Sequence, residues 1–271
     1  MHIADVTHFV PHNSALDLEA QVRGTTFYLV DRRFDMLPSL LSSNLCSLHG
    51  DTDRLAVSVV WVLSSDLKIV KSTWFGKTVI HNCQAMTYEQ AHNILHDIAP
   101  DEPGKARPPP LTAGYPVKRN QIPSLKQDLG ILTRLARKLR KDREEIGGAV
   151  DLSSADTGSE LKFVLDKDGN PMKVSSKTEL EIHHTIAELM IFANQSVASK
   201  IYEHFPDSAL LRIHRTVEQN RFEDLENALT AGGIAFDGKS NMTLAQSLKK
   251  AKQKGKNGAV INALWQSLAT R

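Results

Sequence analysis

The chain has 271 residues, which at roughly 150 residues per domain corresponds to one large domain or two small ones. Hydrophobic residues make up 41% and charged residues 24%, and this ordinary globular usage excludes collagen-like, coiled-coil and disordered classes. The 33 basic and 31 acidic residues leave a net charge of +2, so net charge alone gives no argument for a nucleic-acid or membrane partner. The two cysteines, Cys46 and Cys83, are too few for a disulfide framework, which suits a reducing compartment or simple core thiols.

The first third of the chain predicts a strand, a helix and an antiparallel meander. Residues 2–6 have the pattern of the inside of a strand. Ser14 can cap a helix over residues 14–30, in which apolar residues keep roughly helical spacing. The meander is indicated by three segments rich in β-branched and aromatic residues, which are 56–63, 67–70 and 73–80, with a turn at 64–66.

A capping box predicts the start of the next helix, because Thr87 is followed three residues later by Gln90. The apolar face of this helix includes Ala91 and Leu95. Prolines then concentrate in residues 100–123, which predicts a loop or an insertion rather than a packed element. This loop either separates two domains or interrupts one, and both alternatives are open from the sequence.

The second half of the chain is predicted to be mostly helical. A helix begins at Pro123 and Ser124 and stops at the glycine pair 147–148. Residues 161–174 are typical of a β-hairpin that turns at 168–171. The remaining predicted helices cover residues 176–204, 219–231, 243–253 and 257–270, the first with an apolar stripe through Ile182, Ile186, Leu189, Ala193, Val197 and Ile201.

The helix that begins at Pro123 carries a strongly basic face. A solvated helix surface is the preferred interpretation, and a surface that contacts phosphates is the alternative. The basic residues are Lys126, Arg134, Arg137, Lys138, Arg140, Lys141 and Arg143.

Two pairs of histidines are candidates for metal binding or for packing. His92 and His96 lie four residues apart on one helix face and could grip one ion, but the further ligands that a metal needs are not evident. Because both lie opposite the apolar stripe of their helix, we expect a solvent-exposed polar face. His183 and His184 are adjacent, so their side chains diverge on a helix, and surface and core roles are open for each.

Aromatic residues lie close to a basic pair near residue 30. Phe27 and Tyr28 are followed by Arg32, Arg33 and Phe34, and stacking of a base on an aromatic ring is worth about 1–3 kcal/mol. Core packing is the expectation for Phe27 and Phe34, whereas Tyr28 is open because its hydroxyl needs a polar partner. No GxGxxG, P-loop, GxSxG or CxxC motif occurs, so dinucleotide, NTP, α/β-hydrolase and thioredoxin-like functions have no support.

Strings of residues along nearly the whole chain match one known family in order. They are HIADVTHFV at 2–10, RGTTFYL at 23–29, MLP at 36–38, LLSSNLCSL at 40–48, WFGKTVI at 74–80, LMIFAN at 189–194 and LLRIH at 210–214. Together they closely resemble the RNB catalytic domain of the RNase II and RNase R exoribonuclease superfamily. The chain looks most like the eukaryotic exosome-associated 3′-5′ exoribonucleases, and SNMTLA at 240–245 leans toward the cytoplasmic paralogue.

The resemblance implies an α+β fold, with a mainly antiparallel sheet flanked by helices and a mostly helical C-terminal part. In this interpretation residues 1–99 form the N-terminal part of a partial RNB domain, 100–123 the proline-rich loop, and 124–271 the helical continuation, incomplete at the C-terminus. We expect truncation at both ends. The family's magnesium-binding aspartates lie just before the strand at residues 2–6, and its phosphate-stabilising arginine lies after the last helix.

The resemblance also implies processive 3′-to-5′ hydrolysis of single-stranded RNA to nucleoside 5′-monophosphates at a Mg²⁺ site. Tyr28 stands where the family stacks an aromatic ring on the 3′-terminal base. Tyr88 stands where a tyrosine contacts the RNA sugar and helps to distinguish RNA from DNA, which differ in the 2′-hydroxyl. No catalytic or metal-binding residue is assigned within the chain. The implied partners are single-stranded RNA and the RNA exosome core, without a membrane or a nucleotide cofactor, in the cytoplasm, with the nucleus as the alternative compartment.

Three functions are compatible with the sequence. The leading hypothesis is a catalytically incomplete fragment of a 3′-5′ exoribonuclease, which as an isolated chain does not degrade RNA in the presence of magnesium. The alternative is a non-catalytic RNA-binding or exosome-interacting protein. A third hypothesis, a metal-binding helical protein built on His92 and His96, depends on ligands that the sequence does not show.

Overall fold

Strands form where β-branched and aromatic residues concentrate, and helices where apolar residues recur at helical spacing. The computed structural model describes residues 1–29, 32–67, 70–97, 117–146, 149, 161–165, 171–176, 179–212, 223–231, 236–237 and 240–252. The strands are β1 (His2–Ala4), β2 (Phe27–Tyr28), β3 (Arg33–Phe34), β4 (Asp53–Leu63), β5 (Val70–His81), β6 (Leu161–Leu165) and β7 (Pro171–Ser176). The α-helices are α1 (Val6–Phe9), α2 (Ala15–Arg23), α3 (Tyr88–Leu95), α4 (Ile122–Glu145), α5 (Glu181–His204), α6 (Glu223–Ala231) and α7 (Asn241–Lys252).

The largest sheet has three antiparallel strands in the order β1-β4-β5. The central strand β4 places Val57 opposite Ile3 of β1 and Val59 opposite Phe75 of β5. The antiparallel pairing predicted for this region is confirmed, but the segments predicted at 67–70 and 73–80 are not separate strands, because Val70 already belongs to β5. Ser72 lies opposite Val62 and Val70 opposite Leu63, so β5 continues through this region with one shift in register. Two-stranded ribbons, β2-β3 and β6-β7, complete the sheets of an α+β fold, as predicted.

Helix α2 is shorter than the predicted helix. Ser14 caps it as expected, because the Ser14 hydroxyl accepts a hydrogen bond from the Asp17 N–H at 3.3 Å. Gly24 then ends the helix with φ +71°, a conformation that glycine adopts without steric cost. Residues 27–28 belong to β2, so the continuation of the helix to residue 30 is wrong.

Helix α5 also begins later than predicted. The pairing of β7 with β6 holds residues 171–176 in an extended conformation, and the helix therefore starts at Glu181 instead of near Ser176. Three residues of its predicted apolar stripe, Ile182, Leu189 and Ala193, are buried.

The contact between the sheet and α5 is made by an aromatic pair. Trp61 of β4 stacks on Phe192 of α5, with 4.6 Å between ring centroids and 24° between ring planes. The Trp61 indole Nε1 donates a hydrogen bond to the Ser196 hydroxyl at 3.1 Å, which satisfies the polar end of a partly buried ring. This contact fixes α5 against β4.

The chain divides into two units, residues 1–136 with 161–207, and residues 137–160 with 208–271. Most of the proline-rich segment and the helix predicted at 257–270 lie outside the described residues, so the domain boundaries proposed at residues 99 and 123 stay a prediction. Within the described ranges, no helix combines the length and the apolar character needed to cross a membrane.

Helix α3 begins at the predicted capping box. The Thr87 hydroxyl accepts a hydrogen bond from the Gln90 N–H at 3.2 Å, and the Gln90 side chain accepts one from the Thr87 N–H at 2.9 Å. Two backbone donors that the helix leaves unpaired are thus satisfied reciprocally. The box fixes the backbone of Tyr88, the first residue of α3.

Replacing Thr87 with Ala is expected to lower the free energy of unfolding by about 1 kcal/mol, because the Gln90 N–H loses its acceptor. Urea unfolding followed by circular dichroism measures the change. Thr87→Ser keeps a hydroxyl and is the matched control, for which we expect a much smaller loss. Equal stability of wild type and Thr87→Ala would contradict the capping role.

Candidate nucleic-acid interface

The first candidate tyrosine, Tyr28, lies on the short β2-β3 ribbon. Phe27 pairs with Phe34, and Tyr28 pairs with Arg33, so each pair occupies one face of the ribbon. The Leu29 N–H donates to the Arg32 carbonyl at 2.9 Å and closes the ribbon. The Tyr28 side chain is 77% exposed. Its ring is therefore available to stack on a nucleic-acid base.

The core packing expected for Phe27 and Phe34 is wrong. The two residues are 57% and 51% exposed. A two-stranded ribbon has no second layer of its own, and pairing the two rings on one face does not remove them from solvent. The ribbon thus presents aromatic surface on both faces.

Arg33 is held in place beside Tyr28 by an anionic partner and a hydroxyl. Its Nε lies 2.5 Å from Asp35 Oδ1, and its Nη2 donates to Ser43 Oγ at 2.7 Å. The Asp35 carboxylate also accepts a hydrogen bond from the Ser42 hydroxyl at 3.0 Å. These contacts tie the ribbon to the π-helical turn Leu41–Leu45. They fix the guanidinium on the face of the ribbon that carries Tyr28.

The second candidate tyrosine lies at the N-terminus of α3. The Tyr88 ring stacks on the His183 imidazole of α5, with 4.2 Å between centroids and 26° between planes. Tyr88 is 46% exposed, so the stack covers part of the ring and leaves the rest in solvent. Tyr28 and Tyr88 occupy different elements, and within the described chain their rings do not pack together.

The solvent-exposed face expected at His92 and His96 is confirmed for His96, whose side chain is 38% exposed, and is wrong for His92. The two imidazole centroids are 4.5 Å apart, and His96 Nε2 lies 3.4 Å from Glu181 Oε2. His92 is half-buried, and its Nδ1 is enclosed without a hydrogen-bond partner among the described residues. Burial, and secondarily the charge of His96, hold the pKa of His92 below its ordinary value, against an opposing effect of Glu181.

The basic face of α4 is largely paired with carboxylates. Lys138 lies 2.6 Å from Asp142, and Arg140 lies 2.8 Å from Glu144, each one turn along the helix. Lys126 pairs with Asp97. Because these cations are already partly neutralised, the geometry favours the solvated, ion-paired surface over the phosphate-contacting alternative.

Comparison with known families identifies the family of this chain. All of residues 1–271 match the family model described as RNB domain. The chain belongs to the RNB domain family. The resemblance stated from the sequence strings is thereby confirmed.

Relatives of this RNB domain are named as exonucleases. The probable exosome complex exonuclease RRP44 of Caenorhabditis elegans is 39% identical over 274 residues, covering 100% of this chain and 25% of that protein. DIS3-like exonuclease 2 of Schizosaccharomyces pombe is 37% identical over 253 residues, covering 93% of this chain and 26% of that protein. The chain thus spans about a quarter of the length of these curated relatives.

Among solved structures, the RNB domain is similar to Mycoplasma genitalium RNase R in complex with ribose-methylated single-stranded RNA. The TM-score is 0.76 at 21% identity, over 97% of this chain and 38% of that chain. At this level of identity the likeness shows a shared fold.

Asp5 is a nearly buried carboxylate with fixed partners in this RNB domain. Its side chain is paired with Lys77 Nζ at 3.0 Å and accepts a hydrogen bond from the Thr7 hydroxyl at 2.6 Å. The Thr7 hydrogen bond, followed by the contacts of Lys77, holds the pKa of Asp5 below its ordinary value. The geometry is that of a structural acceptor.

Magnesium, the ion implied by the family resemblance, prefers several oxygen ligands around one point. No group of three His, Cys, Asp or Glu side chains within the described ranges is arranged to hold a metal ion. Asp5 is already committed to Lys77 and Thr7, and Asp97 to Lys126. The described residues therefore do not fit a magnesium site, and His92 with His96 does not form a metal centre.

Two side chains acquire roles that sequence reasoning did not assign. Arg33 appeared only as part of a basic pair, and His183 was left open between core and surface. The register Tyr28 to Arg33 comes from strand pairing, and the contact of Tyr88 with His183 joins residues on two separate helices. The burial of His92 had a weak signal in the sequence. His92 directly follows the apolar Ala91, which is buried in the structure, and lies three positions before Leu95 on α3.

Replacing His92 with Gln is expected to flatten the dependence of stability on pH between about pH 7.5 and 5.5. A lowered pKa means that the unfolded chain takes up a proton at His92 more readily than the folded chain. Wild-type stability therefore falls as the pH drops through the ordinary histidine range near 6.5, and Gln removes this contribution.

Urea unfolding at a series of pH values measures the slope. His184→Gln is the matched control for the His-to-Gln substitution, because it replaces a histidine of α5 outside the His92 and His96 cluster. His2, whose pKa is also lowered by burial, is present in every variant. An unchanged slope in His92→Gln would show that His92 is not the group responsible.

Proposed function

We propose that this RNB domain takes part in 3′-to-5′ exonucleolytic hydrolysis of single-stranded RNA to nucleoside 5′-monophosphates. The observation that carries the proposal is the match to the RNB family over residues 1–271. The names of the relatives support it, since an RRP44 and a DIS3-like protein are both called exonucleases. The RNase R structure of similar fold is a complex with single-stranded RNA, and this supports RNA as the substrate class.

The described residues are proposed to supply RNA contacts. The exposed Tyr28 ring stacks on the 3′-terminal base, since every base offers a π-face to an aromatic platform. Arg33, held on the same face of the ribbon by Asp35 and Ser43, lies beside the Tyr28 ring and fixes that side of the platform. The half-exposed Tyr88 contacts the sugar, where a 2′-hydroxyl distinguishes RNA from DNA.

The partners and compartment follow from the same resemblance. We propose single-stranded RNA as the ligand and the RNA exosome core as the protein partner, the latter supported by the name exosome complex exonuclease of the RRP44 relative. Magnesium is the proposed ion of the family reaction. The proposed compartment is the cytoplasm, with the nucleus as the alternative.

A second candidate is a non-catalytic RNA-binding or exosome-interacting protein. It is favoured by one observation, the lack of any metal-holding group of three side chains among the described residues. Both candidates predict RNA binding by the isolated chain, and they differ in whether the domain takes part in hydrolysis.

Tyr28→Ala is expected to weaken binding of a labelled single-stranded RNA by about 5- to 100-fold, because one stacked base is worth about 1–3 kcal/mol. Fluorescence anisotropy at several salt concentrations measures the Kd, which should rise with salt for every variant. Tyr202→Ala removes a comparably exposed tyrosine from α5 and should leave the Kd unchanged. Equal affinity of wild type and Tyr28→Ala would remove Tyr28 from the interface.

The purified 271-residue chain is expected to bind a 3′-tailed single-stranded RNA without releasing nucleoside monophosphates when magnesium is added. The physical reason is the lack of converging metal ligands in the described ranges. Metal ions that stabilise the negative charge of the transition state supply a large part of the rate enhancement in phosphodiester hydrolysis. Thin-layer chromatography of 5′- and 3′-labelled RNA detects the products. Stepwise loss from the 3′ end with monophosphate release would instead establish activity in this chain.

A further inference from the structure

The stack of Tyr88 on His183 joins two helices through one pair of rings. Tyr88 is the first residue of α3, and His183 lies in the first turn of α5. Their ring centroids are 4.2 Å apart and their planes are inclined by 26°, which is a stacked arrangement. One face of the Tyr88 ring is thus covered by protein.

His183 is itself fixed by a backbone contact. Its Nδ1 accepts a hydrogen bond from the Leu180 N–H at 3.0 Å, at the start of α5. This bond satisfies a backbone donor beside the helix N-terminus and sets the orientation of the imidazole plane. The ring that supports Tyr88 is therefore held by α5.

Tyr88 is restrained at its backbone and at its ring, whereas its hydroxyl end is not. The Thr87 and Gln90 capping box fixes the backbone, and His183 fixes the ring. Within the described part of the chain, no hydrogen bond involves the Tyr88 hydroxyl, and the residue is 46% exposed. A half-exposed phenol in a fixed orientation presents one polar group to a ligand at little further cost in side-chain entropy.

We propose that His183 is a positioning residue for Tyr88 in RNA recognition. By stacking on the phenol ring, His183 holds the Tyr88 hydroxyl in the direction that meets the RNA sugar, and RNA is thereby bound in preference to DNA. The inference rests on the proposed function of Tyr88. Ordering one free side chain on binding costs roughly two- to tenfold in affinity, so loss of the stack reduces the RNA preference by about this factor.

Two substitutions separate the stacking role of His183 from its role at the helix N-terminus. His183→Phe keeps an aromatic ring but cannot accept from the Leu180 N–H. His183→Asn keeps a side-chain acceptor at this position but has no ring to stack on Tyr88. His183→Ala removes both features. His184→Ala is the matched control, because it removes the neighbouring histidine, whose Nε2 lies 3.8 Å from Glu179.

The experiment measures the Kd of each 271-residue variant for a single-stranded RNA and a DNA of the same sequence, together with the melting temperature. We expect the RNA preference to fall two- to tenfold in His183→Ala and His183→Asn, and to be retained in His183→Phe and His184→Ala. We expect His183→Phe to have a lower melting temperature than His183→Asn, because Phe cannot accept the hydrogen bond from the Leu180 N–H. A preference kept by Asn and lost in Phe, or unchanged in Ala, would overturn the inference.

Tyr88→Phe and Tyr88→Ala distinguish failure of this inference from failure of the proposed function. If both Tyr88 variants lose RNA preference and His183→Ala keeps it, the positioning role fails and the function of Tyr88 stands. If the Tyr88 variants bind RNA and DNA like wild type, the proposed function of Tyr88 fails, and the recognition role of His183 is overturned with it. NMR of ¹³C-labelled tyrosine reads the stack without RNA, and ring-current shifts of Tyr88 that persist in His183→Ala would also overturn the inference.

Discussion

Strand β4 is hydrogen-bonded along both edges, and the placement of α5 depends on it. At its centre the fully buried Ser58 hydroxyl lies 2.6 Å from His2 Nδ1 of β1 and 2.6 Å from Thr78 Oγ1 of β5. A buried polar group without a partner costs about 1–3 kcal/mol, so a slip of either outer strand would be penalised. The same strand carries Trp61, which fixes α5 through Phe192. Helix α5 in turn brings His183 to Tyr88.

Charge pairing fixes the connecting segments that the sheet does not hold. Asp5 follows β1 directly, and its ion pair with Lys77 ties that end of the strand to β5. Arg33 and Asp35 do the same for the β2-β3 ribbon, which has few backbone hydrogen bonds of its own. Removing the cation of such a pair leaves the carboxylate without compensation, which is more costly where the carboxylate is nearly buried, as at Asp5. The ion pairs therefore give Asp5 and Asp35 a structural role.

The two tyrosines expose different parts of their rings because they are held in different ways. Tyr28 lies on an exposed ribbon and offers a whole ring face, which suits stacking on any base. Tyr88 has one face covered by His183 and offers its hydroxyl end, which suits a directional contact to a sugar. Membership of the RNB domain family underlies the proposal that RNA is the common ligand. The proposed contacts with base and sugar are each compatible with the exposure of the ring concerned.

The sequence by itself determined the local structure and the family. Thr87 with Gln90 marked the start of α3, the apolar stripe marked α5, and the ordered strings marked the RNB domain, because each is encoded by residues close together along the chain. Tertiary structure decided that Phe27 and Phe34 are exposed, that His92 faces α5, and that Tyr88 meets His183. These outcomes depend on which elements pack together. Helical spacing gives the face of a residue on its own helix, whereas only the assembled fold supplies the partner that covers that face.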